Sequence, residues 1–132
     1  MTGIDRVLGQ ARQCLVRVDP HEAQALMVGG ALLVDIRPVA QRAEFGEVPG
    51  ALIVERNVLE WRFDPDAPYR NPQASDGSRP VIVMCQEGYA SSLAAASLLE
   101  IGRTNVTDLD GGFVAWQAAG LPTILRQNTL SH

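Results

Sequence analysis

The chain is 132 residues long, which suits one domain around a single core, and it is 46% apolar and 20% charged, as ordinary globular proteins are. Its net charge of −4 argues against nucleic acid as the main partner. All eleven cationic side chains are arginine, so a lysine Schiff base and a phosphate-binding lysine are both excluded.

From the N-terminus, residues 1–18 read as an amphipathic helical extension. Ile4, Val7, Leu8, Ala11 and Leu15 recur at helical spacing, with Asp5, Arg6, Arg12 and Arg17 between them. Cys14 joins the apolar face as a packed thiol. The opening residues lack the apolar centre of a signal peptide, and no apolar run approaches the roughly 18 residues of a membrane span. A cytoplasmic domain with no membrane partner is expected.

A domain is expected over 19–125, followed by a tail at 126–132. Asp19, Pro20 and Glu22 form a helix start with a capping-box pattern, and Gly29-Gly30 ends that helix. ALLVDIR then reads as a buried strand ending at Asp35. A helical turn or two (VAQRAEF) and the turn GEVPGA lead to a second strand, ALIV, at 51–54. NVLEWRF suggests a short helix. The segment 64–80, with four of the eight prolines, is a surface loop. VIVM is a third buried strand, Ala90 to Glu100 a helix, NVTDL a fourth strand and GGFVAWQAAG a last helix. Strands alternating with helices predict an α/β domain with a mainly parallel sheet. Ligands of such sheets bind beyond the carboxyl ends of the strands, where Asp35, Arg37 and Cys85 should share one edge.

The third strand runs into Cys85, and the short loop Gln86-Glu87-Gly88-Tyr89-Ala90 leads to a helix starting near Ser91. Gly88 adopts a left-handed conformation at little cost, and the turn it permits gathers inward amides into an anion-binding nest. The helix N-terminus adds partial positive charge. Both favour a thiolate, which is the nucleophilic form of cysteine. The bland alternative is a small apolar side chain closing a strand. No second Cys or His stands near Cys14 or Cys85 at metal-ligand spacing, so neither a disulfide framework nor a metal site is expected.

Four landmarks in this order, LLVDIR (32–37), EVPGA (47–51), VIVMCQEGYAS (81–91) and LDGGFVAWQAAGLP (109–122), resemble the rhodanese-like family of sulfurtransferases. The resemblance covers about Asp19 to Pro122. It implies three layers, with helices on both faces of a mostly parallel five-stranded sheet. It further implies that Cys85 takes a sulfane sulfur from a small donor, carries it as a persulfide, and passes it to a thiol, cyanide or protein acceptor. The implied substrate contacts are the loop residues Gln86, Glu87, Gly88, Tyr89, Ala90 and Ser91, with Arg56 at the pocket mouth. Asp35 and Arg37 would support the site. No cofactor is implied, and the assembly would be a monomer or homodimer.

The loop departs from the pattern of thiosulfate-using members, which typically carry a cation directly after the cysteine and another just before the position of Ser91. Gln86 and Ala90 stand there, and Glu87 adds a carboxylate that opposes a thiosulfate dianion. The family's usual histidine before Pro-Gly-Ala is Glu47, read as structural. Cysteine phosphatases of related fold use Cys-x5-Arg. Counted from Cys85 that place is Ser91, and no arginine occurs from 80 to 102. Arg37 is expected to pair with Glu44, and Asp35 to bond backbone amides. Arg56 and Arg62 have solvated surface positions as their alternative. Tyr89 either lines the pocket or packs. Phe113 and Trp116 are core, while Trp61 and Phe63 either cap the core or form a partner surface. Two readings stay open beside sulfur transfer: a non-catalytic binding or regulatory module, and a redox thiol at Cys85.

Overall fold

The computed structural model describes residues 1–125, so the tail expected at 126–132 lies outside the described residues. Helix α1 spans Gly3–Gln13 and α2 spans Pro20–Val28; strand β1 is Leu32–Asp35 and helix α3 Val39–Phe45. Strand β2 is Leu52–Ile53, followed by a 3-10 turn at Arg56–Val58 and helix α4 at Leu59–Phe63. Strand β3 (Val81–Met84), helix α5 (Ala90–Glu100), strand β4 (Val106–Asp108) and helix α6 (Gly112–Ala118) complete the order. The strands form one parallel sheet in the order β2-β1-β3-β4.

The sheet is buried on both faces, which is why β1 and β3 read as unbroken apolar runs. Alternation along each strand then feeds two cores. Leu32, Val34, Val81, Val83 and Cys85 pack on one side with Leu59, Phe63, Ala94, Ala95 and Leu98. Leu33, Ile82 and Met84 pack on the other with Ala23, Leu109, Phe113 and Trp116. Phe113 and Trp116 are core as expected, and the Trp116 indole N–H donates to the Pro122 carbonyl at 2.8 Å, closing the chain over that face.

The sheet has four strands where five were expected. The fifth is reduced to one parallel bridge between Val18 and Leu109, beyond β4. Val18 donates to the Asp108 carbonyl and accepts from the Asp110 amide. The pairing stops there because Asp19 caps α2 and Pro20, which has no N–H, begins it. The Asp19–Glu22 capping box is present, with bonds of 2.8 and 3.1 Å.

Helix α1 lies against α5 through Ala11, while Leu15 just beyond α1 enters the first core. It docks by one edge, so part of its apolar stripe is uncovered. Ile4 and Val7 are exposed, and Cys14, expected to be a packed thiol, is exposed at the helix end. The pair Trp61 and Phe63 divides: Phe63 is fully buried and Trp61 is 57% exposed. The proline-rich loop is tethered from beneath by Arg103, whose guanidinium donates to the carbonyls of Ala74, Asp76 and Arg79 and lies over the Phe63 ring. Burial pushes the Arg103 pKa down, against the pull of Asp76.

Leu98→Ala opens a cavity under α5 and should destabilise the fold by about 2–5 kcal/mol in urea denaturation. Trp61→Ala should stay within about 0.5 kcal/mol of the parent. Equal losses would contradict this division of the core.

Candidate active site

Register places the carboxyl ends of three strands together: Asp35 pairs with Met84 and Val83 with Asp108, so Asp35, Cys85 and Asp108 lie at one sheet edge. Cys85 follows the last residue of β3 and is 8% exposed. Its Sγ accepts hydrogen bonds from the amides of Gly88 at 3.2 Å and Ser91 at 3.3 Å. Ser91 is in the first turn of α5, so the sulfur sits at that helix's N-terminus. Helix α5 spans Ala90–Glu100, the range expected from the sequence.

Gly88 has φ of +88°, and a Cβ there would lie 2.7 Å from the Gly111 nitrogen. The loop therefore needs glycine for its backbone angle and for its close approach to the start of α6. Gly112 serves the opposite side of the same contact. A Cβ on it would come within 2.5 Å of the Cys85 carbonyl oxygen. That closeness lets the amides of Phe113 and Val114 donate to the carbonyls of Cys85 (2.9 Å) and Gln86 (3.0 Å).

Arg37 is fully buried and does not pair with the exposed Glu44. Its fork binds both oxygens of buried Asp35, at 3.0 and 2.8 Å, and the Gly46 carbonyl at 2.7 Å. The remaining nitrogen donates to the Gln86 side-chain oxygen at 2.9 Å, and the guanidinium stacks 4.3 Å from the centre of the Phe113 ring. A bidentate partner two residues away satisfies a buried charge better than an exposed carboxylate could. Asp35 bonds one backbone amide, that of Arg37.

The other expected contacts are distributed as follows. Gln86 is turned toward Arg37. Glu87, Tyr89 and Ala90 are exposed, Tyr89 by 62%, with its ring 5.6 Å from the Arg12 guanidinium. Arg56 forms an ion pair with Glu60 at 2.9 Å, one helical turn on, and Glu60 also accepts from the Ser97 hydroxyl. Arg62 donates to the Tyr69 carbonyl. Glu47 is buried and pairs with Arg42 at 3.4 Å. Among the described residues no group of three or more His, Cys, Asp or Glu side chains is placed to hold a metal ion.

Sequence reasoning missed Asp108, Arg12 and Arg17. Buried Asp108 accepts from the hydroxyls of Ser91 (2.7 Å) and Ser92 (2.8 Å), and from Arg17 at 3.0 and 3.1 Å. Arg17 also binds Asp110 at 3.1 Å and the Gly88 carbonyl at 2.8 Å. Burial pulls the Arg17 pKa down, but the bond to Asp108 and the charges of Asp108 and Asp110 outweigh it and hold the guanidinium above its usual value. Arg12 donates to the same carbonyl at 2.8 Å and to the Ser92 hydroxyl at 3.0 Å. Asp108 carried one signal, a carboxylate at the end of an expected strand. The two arginines carried none, because they are remote in sequence from the loop and read only as the polar side of an amphipathic segment.

A thiol at a strand end, faced by amides of a tight loop and a helix start above a parallel sheet, defines a cysteine-loop α/β domain. The chain belongs to the rhodanese-like domain family, whose model matches residues 19–119. It is similar to the thiosulfate sulfurtransferase GlpE of Pseudomonas fluorescens, 38% identical over 102 residues that cover 76% of this chain and 84% of the relative. GlpE of Stutzerimonas stutzeri is 36% identical over 101 residues, covering 76% and 84%. Among solved structures, a protein of unknown function from Rhodopseudomonas palustris, described as a possible tyrosine phosphatase, superposes with a TM-score of 0.86 at 31% identity, covering 94% of this chain and 96% of that one.

Gly112→Ala should cost more stability than Gly120→Ala in chemical denaturation. Both glycines have left-handed φ, +61° and +74°, so both variants carry a backbone penalty of roughly 1–2 kcal/mol. Only at Gly112 must the Cys85–Gln86 backbone also move. Equal costs would show that the loop and α6 are not in obligatory contact.

Proposed function

We propose that the protein is a single-domain sulfurtransferase that carries sulfane sulfur on Cys85, acting on a small sulfur donor and a thiol, cyanide or protein acceptor in a reducing cytoplasm. The observation that carries this reading is the pair of amides, from Gly88 and Ser91, at 3.2 and 3.3 Å from Cys85 Sγ. Such donors stabilise negative charge on sulfur, whether on the thiolate or on a persulfide built upon it. The GlpE names of the relatives at 38% and 36% identity support the same class of reaction.

In the first step Cys85 gives its thiol proton to solvent and the resulting thiolate attacks the outer sulfur of the donor. A bond forms from Sγ to that sulfur, and the donor's sulfur–sulfur bond breaks. Its electron pair leaves as sulfite when the donor is thiosulfate, or as a thiolate when it is a persulfide. In the second step the acceptor thiolate or cyanide attacks the terminal sulfur, and the Cys85 thiolate departs. Glu87, exposed at the loop, opposes a dianionic donor more than a singly charged one, so a low-molecular-weight persulfide should outperform thiosulfate. Phosphoryl transfer is disfavoured. The place of a phosphate-clasping arginine is Ser91, whose hydroxyl is committed to Asp108.

A second reading, a binding module that recognises a protein, is favoured by the outward side chains of Glu87 and Tyr89. Donor treatment followed by mass spectrometry separates the two. The sulfurtransferase should gain about 32 Da on Cys85, the mass of one sulfur atom, and lose it on addition of thiol. Cys85→Ser should show neither change. No adduct with thiosulfate or with glutathione persulfide would overturn the reading in favour of the module.

A further inference from the structure

We propose that the N-terminal segment, residues 2–18, is part of the active site, with Arg12 and Arg17 as positioning residues that hold the Gly88 carbonyl away from Cys85. The inference rests on the sulfurtransferase reading for its purpose. Its geometry stands independently of that reading.

Both guanidinium groups donate to one oxygen, Gly88 O, each at 2.8 Å. Gly88, at φ +88°, is where the loop's backbone turns most cheaply. The Gly88 carbonyl lies in the peptide that follows its Cα and the Gly88 amide in the one before, so the two are joined through Gly88's own φ and ψ. Anchoring the Gly88 oxygen on the arginines keeps its negative dipole end off the sulfur and limits rotation at that glycine. The same two side chains reach the other donor's neighbourhood. Arg12 binds the Ser92 hydroxyl, and Arg17 binds Asp108, which accepts from both Ser91 and Ser92. The two residues whose amides face Cys85, Gly88 and Ser91, are thus each fixed from the N-terminal segment, Gly88 directly and Ser91 through Asp108.

Charge adds to position. The loop from Gln86 to Ala90 has no cation and one carboxylate, Glu87. Arg17 is matched by Asp108 and Asp110. Arg12 donates to two neutral oxygens and lies over the Tyr89 ring, and among the described residues it forms no ion pair, so it brings positive charge beside the loop. Arg12 and Arg17 both lie outside the 19–119 segment that the family model matches.

The test uses the full chain with Arg12→Gln, Arg12→Lys and Arg17→Lys. The readouts are the rate of Cys85 alkylation by iodoacetamide at pH 7, resolved from Cys14 by peptide mass spectrometry, and the thermal melt. Arg12→Gln should slow Cys85 alkylation by about three- to tenfold, the loss of one charge-assisted contact beside a thiolate. Arg12→Lys, which keeps a charged donor, should recover most of it. Arg17→Lys, with a single nitrogen to divide between Asp108 and Gly88, should fall between. Should Arg12→Gln fail to fold, Arg12→Met keeps the packed stem and removes only the fork. An unchanged alkylation rate in a folded Arg12 variant, with or without a lower melting temperature, overturns the inference and leaves a purely structural helix. The readout needs no sulfur transfer. Slowed alkylation rescued by lysine, in a protein that never forms a persulfide, sinks the sulfurtransferase reading alone. Normal alkylation in a variant that still forms the persulfide sinks this one alone.

Discussion

The site depends on one constraint, the direction of the peptide groups between β3 and α5. The Gly88 and Ser91 amides can converge on Cys85 Sγ only while the loop backbone keeps one shape, and donors from elsewhere hold three of its carbonyls. Phe113 serves Cys85, Val114 serves Gln86, and Arg12 with Arg17 serves Gly88. The loop is short, and little in it holds itself. Its conformation is imposed by the start of α6 on one side and by the N-terminal segment on the other.

Two buried carboxylates brace this arrangement. Asp35 locks Arg37, which reaches Gln86 and stacks on Phe113. Asp108 locks Arg17 and the two serines that open α5. Charges inside a protein are costly unless fully paired, and removal of one partner costs more than the pair contributes. The pairs therefore specify where the loop sits more than they stabilise the fold. They meet the chain at Gln86 and Ser91, on either side of the Gly88 turn.

Much of the fold was legible because the two periodicities are clean. Continuous apolar runs at VIVM and LLVD marked strands covered on both faces, and the Asp19–Glu22 box and Gly88 marked their turns without help from the rest of the chain. Phe113 and Trp116, three apart on one helix, read correctly as core. The partners of charged residues were not legible. Arg37 was expected to pair with Glu44, but that residue is exposed on the helix that begins at Val39, and a carboxylate two residues back in a strand won. Cys14 obeyed the helical pattern yet lies exposed, because periodicity says which face is apolar and not how much of it a neighbour covers. Arg12 and Arg17 were invisible as site residues for a similar reason. Contacts across more than 70 positions of sequence leave no local trace.

The reduced fifth strand has a consequence for self-association. An open strand edge invites pairing with another chain, and proteins defend such edges by keeping them short or covered. One border of this sheet is β2, two residues long. The other, β4, is met by the Val18 backbone and by the Thr107 hydroxyl, which donates to the Val16 carbonyl at 2.7 Å. A single residue of pairing suffices to blunt that margin, so the segment that leads into α2 also guards the sheet against growing, strand by strand, into a fibre.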